Sequence, residues 1–182
     1  MDIFEFILVL VTVIVGLGIA ELLGGVVRIL RHELKPGRLH SLWIWMIFEM
    51  QVQWLWSSWA LRDRGEWLFP EFILLLALPV VLYMIAAVLF PSTDTSDDLD
   101  AHFFRHRKPF FLLLMACIIL YSVNHRFLEG GDFGGLADAI RVALFISLGI
   151  LMNTSHRGVH WALGLSLLGV QFWWVYYFGF AI

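Results

Sequence analysis

The sequence contains little charge and a single cysteine. Charged residues make up 15% of its 182 residues and hydrophobic residues 60%, whereas a typical soluble domain is about 25% charged and about 45–50% apolar. This composition excludes a disordered chain and argues against a soluble domain. Cys117 alone cannot form an internal disulfide or a thiolate metal site, so we expect a small buried side chain there. The net charge of −3 offers no basic surface for nucleic acid.

The common catalytic and channel motifs are also missing. The sequence has no phosphate-binding glycine loop, no Gly-x-Ser-x-Gly nucleophile elbow, no His-Glu-x-x-His zinc motif and no potassium-filter sequence. The glycine-rich segment 130–135 lacks the preceding strand that a phosphate loop needs, so we interpret it as a link. The sequence therefore leaves any cofactor unknown, and the missing motifs favour a protein without catalytic activity over an enzyme.

Long apolar runs are what the sequence has in abundance. Because about 20 apolar residues cross a bilayer as a helix, we predict an all-α, polytopic membrane bundle that forms one transmembrane domain over residues 1–182. The N-terminus lacks the basic region and cleavage site of a secretory signal peptide, so the first run is expected to stay as a membrane helix. Six spans are predicted, at about 3–30, 41–60, 70–90, 109–124, 137–152 and 158–182.

The longest link, 91–108, has a helical pattern of its own. Ser96 and the two aspartates after it are typical of a helix start. Leu99 and Phe103 then recur at helical spacing, and a run of basic residues precedes the next span. We therefore predict a short amphipathic helix at about 97–107 that lies in the membrane interface.

Lysine and arginine concentrate on alternate links. The first, third and fifth links and their edges carry eight of the 12 basic residues, namely Arg28, Arg31, Lys35, Arg38, Arg105, Arg107, Lys108 and Arg157. The second and fourth carry the other four, Arg62, Arg64, Arg126 and Arg141. The positive-inside rule then places the odd links in the cytoplasm and both termini outside. We expect the cytoplasmic (inner) membrane of a bacterium.

Glu21 and Glu49 are the two carboxylates expected deep in the bilayer. At 1.5 Å per residue, each lies ~12–14 Å from the cytoplasmic end of its span. Gln53 follows Glu49 on one helical face, and Gln171 in the last span has a similar depth. Because polar groups are costly in lipid, such residues usually face the bundle interior. The sequence thus predicts a midplane site of these four residues that binds or passes an ion, a proton or a small solute.

These deep polar residues also have a second interpretation. They could form interhelical hydrogen bonds that only fix the packing. The protein would then be a non-catalytic membrane subunit or sensor, working as a homo-oligomer or with a partner subunit in the bilayer.

Histidines suggest a different chemistry at the cytoplasmic side. His102 and His106, and likewise His156 and His160, are spaced i, i+4, which puts two imidazoles on one helical face and suits a metal. On this hypothesis the protein is a metal-dependent membrane enzyme. The competing interpretation is that histidines, like arginine and lysine, simply accompany the cytoplasmic edge of the membrane.

Overall fold

The computed structural model describes residues 3–91, 98–128, 130 and 134–178. Within these residues the chain is all helical and contains no strand, as the sequence predicts. A single turn of 3₁₀ helix, Trp59–Leu61, follows the second α-helix. The six α-helices are α1 (Ile3–Leu30), α2 (Arg38–Ser58), α3 (Phe69–Leu89), α4 (Leu99–Phe127), α5 (Leu136–Asn153) and α6 (Arg157–Phe178).

Four of these helices, α1, α3, α4 and α5, are long and apolar enough to cross a membrane. The protein is therefore a multi-pass membrane protein by helix length and composition. This number is smaller than the six spans predicted from the sequence. The difference has a chemical reason: α2 carries His40, Glu49, Gln51 and Gln53, and α6 carries Gln171 among tryptophans and tyrosines, so neither contains an 18-residue stretch as apolar as those in the other four helices.

α4 differs from the prediction at its start. The sequence predicted a separate interfacial helix at about 97–107 and a new span from Pro109, but α4 runs through Pro109 without a break; residue 97 lies outside the described residues. The Asp98 side chain caps the helix by accepting from the backbone N–H of Asp100 at 2.9 Å. Proline removes only one helical hydrogen bond, and the buried rings of Phe110 and Phe111 hold the turn after it in the core.

A cluster of buried aromatic rings lies between α2 and α4, in the first half of both helices. Trp43 of α2 is fully buried, and the centroids of Phe103, Phe110 and Phe111 of α4 lie 5.2–6.0 Å from its ring. Aromatic pairs at this spacing add to the stability that their burial provides. Among the six helices, α3 packs along α1 and α4. α2 contacts α1, α3, α4 and α6, and α5 packs on α4 and α6.

Alternate links meet at the same end of the bundle. At one end the backbone N–H of Leu99 donates to the carbonyl of Lys35 at 3.1 Å, and Arg28 donates to the carbonyl of Pro91 at 3.0 Å. The start of α6 lies at this end too, against the first turns of α4. We call it the basic end, because it carries the eight basic residues named above. At the opposite end Arg64 donates to the carbonyl of Leu128 at 3.0 Å.

Candidate functional site

Glu49 is the meeting point of two carboxamides near the middle of α2. The Nε2 atom of Gln53, one turn later in the same helix, donates to one carboxylate oxygen of Glu49. Nε2 of Gln171 in α6 donates to the other oxygen and also reaches the carbonyl of Met46 at 3.3 Å. All three polar side chains are partly buried. The structure therefore joins three of the four residues that the sequence proposed for a midplane site; we call Glu49, Gln53 and Gln171 the Glu49 triad.

The packing of α6 on α2 explains why Gln171 reaches Glu49. Both helices start at the basic end and run in the same direction. Gly164 lies so close to α2 that a Cβ atom there would be 2.9 Å from Cδ2 of Leu42. Seven residues, or two turns, further along each helix come Gln171 and Glu49. Two parallel helices keep the same register over two turns. The close approach of α6 to α2 at Gly164 therefore also brings Gln171 within hydrogen-bond reach of Glu49.

The chemistry of the Glu49 triad suits a group that gains and loses a proton. A carboxamide has both a donor and an acceptor, whereas an ionised carboxylate only accepts and a protonated one also donates. A carboxyl flanked by two carboxamides can therefore stay hydrogen-bonded in either protonation state, because an amide that turns over presents its oxygen to the new proton.

Glu21 lies outside this arrangement. Its side chain is exposed on α1, and it forms no hydrogen bond or ion pair with any of the described residues. The buried face of α1 is made instead by residues that include Val15, Gly18, Leu22 and Gly25. The expectation that Glu21 faces the bundle interior and meets Glu49 is therefore not fulfilled.

Gln51 is a buried polar residue that the sequence reasoning missed. Only 1% of its surface is exposed, and neither polar atom of its amide has a partner among the described residues. The amide fills the space beside Gly18 of α1, where a Cβ atom would lie 2.3 Å from Oε1 of Gln51. A glycine in the neighbouring apolar helix was the signal that could have indicated a close contact at this level.

Three of the four histidines predicted as metal ligands lie within hydrogen-bond distance of backbone carbonyls. Nε2 of His102 lies 3.2 Å from the carbonyl of Val88, Nδ1 of His106 lies 3.1 Å from the carbonyl of His102, and Nε2 of His160 lies 3.1 Å from the carbonyl of Thr154. His156 is exposed. In the described part of the chain, no three or more side chains of the usual ligand types are placed to hold a metal ion.

A further histidine, which the sequence analysis did not single out, completes the pattern. His40 is fully buried, and its Nε2 lies 2.6 Å from the carbonyl of Leu89. Together with His102 on Val88, it provides donors to the last turn of α3. The final carbonyls of a helix have no partner within the helix, so these two histidines satisfy groups that would otherwise be unpaired. We interpret them as structural caps of α3.

No protein-family model, curated protein or solved structure matches this chain. Fold alone does not define function, so the function has to be inferred from the side chains described above.

Proposed function

We propose that the protein is a six-span membrane protein that binds a proton or a small cation at the Glu49 triad. The observation that carries this proposal is the convergence of two carboxamides, from two helices, on one carboxyl group near the middle of α2. Ionisable groups inside membranes are energetically unfavourable and usually functional. The two amide donors reduce the free-energy cost of placing the Glu49 carboxylate there.

The connections between the helices support a membrane crossing by α2. The apolar helix α1 ends at the basic end, whereas α3 starts at the opposite end, where Arg64 contacts Leu128. The chain between them must therefore traverse the bundle, and the 21 residues of α2 span about 31 Å at 1.5 Å per residue. α6 follows α2 in parallel and has 22 residues, so it crosses as well. With the basic end in the cytoplasm, both termini lie outside the inner membrane.

Transport follows from binding if the proton can be taken up and released. Protonation removes the charge of Glu49, and this lowers the cost of its position in the bilayer. The partial exposure of Glu49, Gln53 and Gln171 leaves the carboxyl accessible from outside the bundle core. The function we propose is thus reversible binding at the Glu49 triad, with passage of the bound ion as its consequence.

The test compares Glu49→Gln with Glu21→Gln in the full-length protein. In proteoliposomes under a pH gradient, we expect Glu49→Gln to abolish the protein-dependent flux and Glu21→Gln to retain it. Infrared difference spectra recorded through a pH titration provide a second measurement, because they detect a protonated carboxyl directly. The band should vanish in Glu49→Gln only. An unchanged flux together with an unchanged band in Glu49→Gln would refute the proposal.

A second candidate function is a subunit of a larger membrane assembly, and Glu21 favours it. A carboxyl group on the lipid-facing side of an apolar helix is unfavourable, and a partner helix with a hydrogen-bond donor would remove that cost. Native mass spectrometry in mild detergent tests this candidate. We expect the wild-type protein to form a homo-oligomer or a complex that Glu21→Leu disrupts; a monomer in both cases would contradict it.

A further inference from the structure

Two arginines of the basic end contact Phe104 in the second turn of α4, and a lysine follows one turn later in the same helix. Arg107 donates from Nη1 to the carbonyl of Phe104 at 2.8 Å. Cζ of Arg157, the first residue of α6, lies 5.8 Å from the centroid of the Phe104 ring. Lys108 follows Phe104 by one turn of α4, and its side chain is exposed. One aromatic residue therefore brings side chains from two helices together; we call Arg107, Lys108 and Arg157 the Phe104 cation group.

No carboxylate of the described residues balances this charge. Arg107, Lys108 and Arg157 form no ion pair there, and Nε of Arg107 is buried without a hydrogen-bond partner. The nearby acids have other roles, because Asp98 caps α4 and Asp100 accepts from the backbone N–H of His40 at 3.0 Å. Like charges repel each other and opposite charges attract, so an anion that binds among these side chains is favoured by all three.

We propose that the Phe104 cation group binds the phosphate of an anionic phospholipid. Guanidinium groups bind phosphate through two parallel hydrogen bonds, and basic pockets between membrane helices bind lipid headgroups. The surface below the cations fits a lipid rather than free phosphate. Leu112 lies one turn deeper in α4 than Lys108, on the same face, and is 61% exposed, which offers an apolar contact for the acyl chains.

The experiment measures lipid binding by the full-length protein. Purified protein in detergent is titrated with short-chain phosphatidylglycerol or with phosphatidylcholine of the same chains, and bound lipids are counted by native mass spectrometry. We expect a clear preference for phosphatidylglycerol. Each cation near an anionic headgroup contributes about a fivefold factor in affinity. The double variant Arg107→Gln, Arg157→Gln should therefore lose about 25-fold in affinity for phosphatidylglycerol, with phosphatidylcholine binding unchanged.

Two single variants keep the test decisive if the double variant folds poorly. Lys108→Gln changes an exposed side chain and should lower the affinity about fivefold. Arg62→Gln, which removes an exposed arginine at the opposite end, should leave the affinity unchanged. The proposal is overturned if Lys108→Gln and Arg62→Gln behave alike. It is also overturned if millimolar inorganic phosphate displaces the lipid, because the ligand would then be a free anion.

Discussion

Glu21 and Glu49 have nearly the same depth but opposite surroundings. Measured from the basic end, Glu21 lies about 14 Å along α1 and Glu49 about 16 Å along α2 at 1.5 Å per residue. Glu49 accepts from two amides between α2 and α6, whereas Glu21 is exposed on α1 and unpaired among the described residues. Depth follows from counting residues, but the face of the helix decides what a carboxyl group meets.

The two faces of α1 differ as sharply as the two acids. Gly18 is buried against Gln51, whereas an added Cβ at Gly16, two residues earlier, would meet none of the described atoms within 4 Å. α1 therefore has an inner face that contacts α2 and α3 and an outer face, with Gly16 and Glu21, that is exposed. The following substitutions test this division, from the largest expected effect to the smallest.

Gly18→Leu should be the most destabilising of these changes. The new side chain would occupy the place of the Gln51 amide and force this buried group to shift. Overpacking of this kind costs about 3 kcal/mol. Gly16→Leu is the matched control and should change the free energy of unfolding by less than about 0.5 kcal/mol. Denaturant unfolding in mixed micelles, followed by tryptophan fluorescence, measures both; equal losses would mean that the faces of α1 are wrongly assigned.

Glu49→Ala should come next, with a loss of about 1–2 kcal/mol. It removes the carboxylate acceptor of Gln53 and Gln171 and leaves Gln171 only the carbonyl of Met46. Glu21→Ala should be neutral or stabilising, because it removes a carboxyl group that pairs with none of the described residues. The same unfolding experiment compares the two variants. A larger loss for Glu21→Ala would reverse the comparison.

A double-mutant cycle isolates the contact between α2 and α6. We expect Glu49→Ala and Gln171→Leu to be coupled by about 0.6–1.7 kcal/mol, the range for hydrogen bonds between membrane helices. The cycle of Glu21→Ala with Gln171→Leu should show no coupling, because the two side chains are not in contact. Coupling of similar size in both cycles would indicate a general effect on the bundle rather than a direct bond.

Gln53→Leu should have the smallest effect among the substitutions in the Glu49 triad. The bond from Gln53 to Glu49 joins neighbouring turns of one helix, and pairs of this kind contribute about 0.2–0.5 kcal/mol. Ser57→Ala, one turn further along α2, is the control and should change stability less. The measurement is again the free energy of unfolding in micelles. A loss as large as that of Glu49→Ala would show that Gln53, and not Gln171, is the main partner.

Much of the architecture was predictable because apolar runs and turn residues mark helices directly. The bounds predicted for the spans lie close to those of the helices, except where α4 continues through Pro109, but only four of the described helices are apolar enough to cross a membrane, not six. The sequence predicts that Pro109 starts a helix, because the packing of Phe110 and Phe111 that holds the surrounding turns together cannot be inferred from sequence. The parallel contact of α6 with α2 was equally hidden, because it depends on Gly164 meeting Leu42.

The candidate site was predictable only where its residues share a helix. Gln53 follows Glu49 by four residues, and this spacing places both side chains on one face of a helix. The inward face of α1 was not predictable, because apolar residues occupy every side of that helix. The prediction that Glu21 faces inward rests on the free-energy cost of a carboxyl group in lipid. The histidine caps escaped prediction for a related reason: their acceptors are backbone carbonyls, which every residue has.

The separation between Glu49 and Gln171 also has a consequence for biosynthesis. The two residues are 122 positions apart in the chain, and chains are made and folded from the N-terminus. α2 therefore enters the bilayer before α6 has been synthesised, and at that stage Glu49 lacks its partner from α6. Gln53 is made only four residues later and can bond to the carboxyl group at once. The Gln53 amide can therefore donate to Glu49 while α2 inserts, and the bond from Gln171 forms only after α6 has been synthesised and packed against α2.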